Sequence, residues 1–175
     1  MIASLTPMAI LPMARRGPRP RTHDTLPHLQ LDQFPGPEIT GELLDRARRI
    51  PIVNVKQSRM AAPDSLALYL PDEYAGGPPE AFIDGHEFCH LHALPEGGIH
   101  LTLPKLLREV MVDLGWGERH PIAKAGILTT LVTVYAPRDP LELEIALNLI
   151  GQSCQFAQGN LRPLQGGDYS WLEAQ

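Results

Sequence analysis

Two stretches, Glu87-Phe88-Cys89-His90-Leu91-His92 and Gly98-Ile99-His100-Leu101-Thr102-Leu103, decide the fold of this chain. Side chains alternate along a strand, so His90 and His92 leave one face while Cys89 and Leu91 leave the other. A hairpin turning through Ala93 to Gly98 returns His100 beside the first two, with Leu101 and Leu103 on the apolar face. Four of the seven histidines, His86 included, fall within fifteen residues, 86–100. A lone histidine is most often part of a half-exposed strand. Three imidazoles on one face favour proton transfer or metal binding, because imidazole titrates near neutral pH and its neutral form is a common metal ligand.

Working outward, Ile39, Leu43, Leu44, Ala47 and Ile50 follow helical spacing until Pro51, and Ile52 to Lys56 and Ser65 to Leu70 read as short strands. Pro71 to Glu80 reads as a loop, either a plain solvent turn or a lid. After the hairpin, Pro104 opens a helix with Leu106, Leu107, Val110, Met111 and Leu114 as its apolar stripe, ended by Gly115. Ile127 to Tyr135 is the most strand-like run. Asp139-Pro140-Leu141-Glu142 then starts a helix reaching about Ala157, with Asp139 as its cap. This order predicts an α+β domain, a mainly antiparallel sheet of about five strands with helices packed on one face.

At 175 residues the chain suits one domain. Seven of the eighteen prolines lie in the first 37 residues. Residues 1–25 are therefore expected as a flexible Pro/Arg-rich segment, 26–158 as the domain and 159–175 as a polar tail anchored by Tyr169 and Trp171. With a formal net charge of −5 and no basic run longer than two, nucleic acid is not an expected partner. Cys89 and Cys154 show no ligand spacing and read as reduced core residues, which suits a cytoplasmic protein. The N-terminal stretch, broken by Pro7 and Pro12 and followed by Arg15 and Arg16, reads neither as a signal peptide nor as a membrane span.

Two further clusters carry candidate site residues. Gly115-Trp116-Gly117-Glu118-Arg119-His120-Pro121 is read as a link in which Trp116 packs inward and His120 is a fourth imidazole, or as a plain helix cap with Trp116 as a core plug and His120 exposed. Tyr135-Ala136-Pro137-Arg138-Asp139 meets a helix N-terminus, where Arg138 and Tyr135 would hold an anion, or Arg138 would simply pair with Glu87 or another acid.

Together, Glu87 to His92, Ile99 to Leu103, Gly115 to Pro121 and Tyr135 to Arg138 resemble the fungal luciferase family and its bacterial relatives across roughly residues 80–158. The resemblance implies an oxidoreductase of luciferase type. Fungal luciferase adds dioxygen to a 3-hydroxy-2-pyrone, giving an endoperoxide that loses carbon dioxide. The family's N-terminal membrane segment is not expected here. On this reading His90 or His92 takes the enol proton, His100 and His120 stabilise the anion, and Arg138, Tyr135, Glu87, Trp116 and Arg119 contact the substrate, in a pocket walled by Tyr69, Tyr74 and Phe82. The expected partner is a small aromatic or enolic molecule with O2 as co-substrate and no required cofactor. The alternatives are a zinc or iron centre on His90, His92 and His100, and a non-catalytic module binding a small ligand or metal. Glu87 has the wrong strand parity to join such a centre unless a bulge intervenes.

Overall fold

The computed structural model describes Leu11, residues 13–163 and the strand residues 169–171. Six strands form one antiparallel sheet: β1 (Asn54–Gln57), β2 (Leu66–Tyr69), β3 (Glu87–Leu91), β4 (Ile99–Thr102), β5 (Gly117–Arg119) and β6 (Leu131–Val134), in spatial order β1-β2-β3-β4-β6-β5. The helices are α1 (Pro37–Arg48), α2 (Lys105–Asp113), the single turn α3 (Pro121–Lys124) and α4 (Pro140–Ala157). The expected α+β class and antiparallel sheet are observed, with one strand more than expected. That strand, β5, lies in the stretch read as a link, because Gly117 to Arg119 pairs with Val132 to Val134 across a sequence gap with no local strand signal.

Sheet register separates the two faces. Cys89 pairs with Leu101 and Leu101 with Val132, while Leu91 pairs with Ile99 and Ile99 with Val134. These residues join Leu107, Met111, Leu143, Ile145 and Leu149 in the buried core. The intervening row runs Ala67, His90, His100, Thr133, Glu118 through successive pairings and carries the polar groups.

Helix α4 begins as its residues dictate: Asp139 accepts a bond from Glu142 N at 2.9 Å, and Pro140 takes the first helical position. The strand expected from Ile127 is shorter, because Ile127 is 78% exposed in the turn before β6. Pro71 to Glu80 forms two short 3₁₀ turns docked on the end of α4, with Gly77 N bonded to Ala157 O at 2.8 Å, and none of these residues lines the histidine cavity. Tail residues Leu161–Pro163 and Tyr169–Trp171 pair as a separate two-stranded sheet.

The N-terminal segment is described over residues 13–25. They form a strap without regular structure, tied down by long-range bonds. Met13 O accepts from Trp116 Nε1 at 2.8 Å, Arg15 N bonds Leu114 O at 2.9 Å, and Thr22 Oγ1 bonds Glu118 at 2.8 Å. Residues 1–10 and 12 lie outside the described residues. Among the described residues no helix is long and apolar enough to cross a membrane.

Candidate functional site

Strand parity does what the hairpin promised. His90 and His100 are a direct cross-strand pair, and His92 follows on the same face as β3 ends. His90 Nε2 lies 3.0 Å from His100 Nδ1. The His92 and His100 rings are 4.4 Å apart, and His120 approaches His100 edge-on at 4.6 Å. All four are at least nine-tenths buried. His120 belongs to the cluster and also caps α3, because its Nδ1 accepts from Ile122 N at 3.2 Å. His120 is thus a fourth imidazole, and it is buried rather than exposed.

A fifth imidazole comes from the strap. His28 stacks on His100 at 5.8 Å and meets His120 at 5.1 Å. Its Nδ1 bonds His23 O at 2.6 Å, and its Nε2 sits 3.0 Å from Glu118 Oε1. Sequence reasoning missed it because His28 is 59 residues from the start of β3 and belongs to no periodic segment; its only local sign was a Pro27-His28 step within polar chain.

Three carboxylates set the ring orientations. Glu87 is fully buried and bonds His90 Nδ1 at 2.7 Å, while Ser58 and Tyr69 donate to it at 3.1 and 2.7 Å. A bulge makes this possible: Leu68 pairs with Cys89 but Tyr69 pairs with Glu87, so the extra residue turns Glu87 onto the histidine face. Glu96, from the hairpin turn, bonds His92 Nδ1 and also accepts from Gln30 N at 2.7 Å. Glu118 accepts from Thr22 and, at 3.1 Å, from Tyr135. Burial raises the Glu118 carboxyl, but the His28, Thr22 and Tyr135 contacts outweigh it and pull it down to about 2.

Hydrogen-bond logic assigns the tautomers. A carboxylate accepts only, so His90 and His92 carry their protons on Nδ1 and leave Nε2 as a lone pair. His100 then donates from Nδ1 to His90, and its own Nε2 is a lone pair that is buried without a partner among the described residues. His120 is reversed: Nδ1 accepts from backbone, so neutral His120 carries Nε2–H. Burial holds His90 below the usual imidazole range despite the opposing Glu87, drives His100 well below it, and lowers His120 to about 3. One ring nitrogen from each of His90, His92 and His100 lies within 4.8 Å of the others, so these three residues could hold a metal ion.

The imidazoles floor a cavity of about 620 Å³ whose walls include Leu26, Leu29, Met60, Ile83, Ile122 and Leu131. Of the expected substrate contacts, Glu87 reaches the site, as a partner of His90. Arg138, Tyr135, Trp116 and Arg119 are not among the residues that line the cavity. Arg138 is bound by Glu142 and by Gln33, at 2.9 Å. Tyr135 is turned onto Glu118, and Trp116 is a core side chain bonded to the strap. Arg119 leaves β5 on the opposite face from its neighbour Glu118 and pairs with Glu109 on α2. Tyr69 holds Glu87, Tyr74 is 44% exposed, and Phe82 packs beside His86, so none of the expected aromatic walls is present.

The family model described as Luciferase domain matches residues 85–153, a span holding His90, His92, His100 and His120 but not His28. Luciferases of Armillaria gallica, Armillaria ostoyae and Armillaria mellea are each 27% identical over 160 residues, covering 81% of this chain. The chain spans 59% of the length of these curated relatives. No solved structure matches. Four of the five clustered imidazoles therefore lie in the span that matches the luciferase domain model, and over most of its length the chain is similar to fungal luciferases.

Proposed function

We propose that the cavity binds a small acidic enol of the 3-hydroxy-2-pyrone type and promotes its reaction with dioxygen. The observation that carries this reading is the donor and acceptor pattern of the floor. His92 Nε2 and His100 Nε2 are acceptors and His120 Nε2–H is a donor, which complements a hydroxyl beside a carbonyl on one ring. The orphaned lone pair of His100 would gain the partner it lacks.

His92 is the proton acceptor in this reading. Its Nδ1 is bonded directly to Glu96, so the imidazolium formed is neutralised at once, whereas burial makes His100 the weaker base. Glu87 keeps His90, and through it His100, in one tautomer. The enol proton goes to His92 and the enolate oxygen is held by His92 and His120. The enolate then passes one electron to dioxygen, and the two radicals join as a carbon–oxygen bond. The organic substrate is oxidised and dioxygen is reduced to the peroxide level, with no cofactor in the balance. The aliphatic walls keep water from the anion.

The test is an oxygen-electrode trace with hydroxypyrones before and after chelation. Uptake that survives chelation and collapses in His92→Ala supports the reading, and absence of uptake with every enol overturns it. A second reading rests on the His90, His92 and His100 nitrogens: with second partners on Glu87 and Glu96, they would hold zinc or iron as a Lewis acid or oxygen-binding ion. Uptake lost on chelation and restored by iron favours that one.

A further inference from the structure

Apart from the five imidazoles, every side chain lining the cavity is aliphatic, a thioether, alanine or proline. Among the described residues no aromatic ring other than histidine, no hydroxyl, no amide and no charged side chain joins them. Polarity is thus confined to the floor. Leu26 and Met60, at 59% and 55% exposure, are two of the large apolar side chains left open to water, and both belong to this cavity.

Resting on the enol reading above, we infer that the substrate carries its acidic enol on an alkyl tail, and not on a phenol- or catechol-bearing one. A tail leaving the floor runs along Ile83, Ile122 and Leu131 and then covers Leu29, Leu26 and Met60. Each methylene exchanges water for this wall, a gain that raises affinity about fourfold per group. A tail hydroxyl finds no donor or acceptor on those side chains and keeps its desolvation cost. Apolar walls reject an added hydroxyl by about a hundredfold. Aryl tails also find no aromatic face to stack on.

Dissociation constants measured without oxygen on the full chain decide this, since turnover is then excluded. One enol head is used with a methyl group, with linear alkyl tails of increasing length, and with a dihydroxyphenyl-vinyl tail matched in heavy atoms to one of them. The expected result is an affinity that climbs about fourfold per methylene until the cavity is filled, with the dihydroxyaryl compound at least tenfold weaker than its alkyl match. Met60→Ala and Ile83→Ala should reduce the ratio of alkyl to methyl affinity, and Arg119→Ala, outside the cavity, should leave it unchanged. A flat chain-length series, or a dihydroxyaryl tail that binds as tightly as its alkyl match, overturns the inference while the enol reading stands. If no head binds, or its O-methyl ether binds equally well, both fall.

Discussion

Two polar clusters, both reached by the strap, teach opposite lessons. In the first, Arg15, Arg138, Gln33, Asp139 and Glu142 join the strap to the start of α4. Arg15 Nε is 3.6 Å from Glu142, Arg138 is held by Glu142 and Gln33, and Asp139 caps the helix and meets Arg16. The Arg15 guanidinium stacks over Tyr135 at 5.5 Å. Charge meets charge there, and the outcome is attachment. In the second, five imidazoles share three carboxylates, and His100 keeps a nitrogen unpaired. A fully paired cluster holds structure together, while one with spare lone pairs and a cavity beside it is equipped for chemistry.

The sharpest way to break this contrast is to swap the penalties. His92→Ala should lower oxygen uptake by about 10²- to 10⁴-fold, the usual worth of a general base, and shift the melting temperature little. A His92 variant that melts far lower with activity intact would make the imidazole structural. Glu142→Ala should do the reverse. It strands Arg15, whose side chain is 2% exposed, and breaking such a pair costs about 3–5 kcal/mol. Chemical denaturation measures the cost, and kcat/KM at low temperature should stay within a few-fold of the parent.

Acid sharpens the comparison further. His100 and His120 are held neutral by burial, so between their lowered values and about 6.5 the unfolded chain binds more protons than the folded one. For His120 the window opens at about 3. Stability therefore rises with pH through that window and is flat above it. Glu118, at about 2, acts in the same direction at the acid end. Denaturant titrations from pH 4 to 8 should show the slope, and His120→Asn, which can still cap α3, should flatten it. An unchanged slope in that variant would mean that the ring binds protons equally in the folded and unfolded chain.

The smallest effect belongs to Arg119. Its pair with Glu109 is exposed and on the other face, so Arg119→Ala should change stability by less than about 1 kcal/mol and leave turnover untouched. A large loss of turnover would return Arg119 to the site.

What could be read from the chain alone follows the range of the forces involved. Period-two alternation and a short turn placed His90, His92 and His100 on one face, since backbone geometry carries that information over a few residues. Helix α4 and its cap were legible for the same reason: Asp139, Pro140 and Glu142 act within one turn. Tertiary structure decided the rest. The bulge that turns Glu87 to His90 arises from pairing with β2, not from β3 itself. Glu96 reaches His92 only because the turn folds back on the strand, and β5 exists only because β6 offers it an edge. His28 arrives because Met13, Arg15 and Thr22 fasten the strap to residues about 90 or more positions away. Arg138 belongs with what was legible: Glu142 stands four residues on, in the first turn of α4, and a nearby buried carboxylate outcompetes a substrate for a guanidinium.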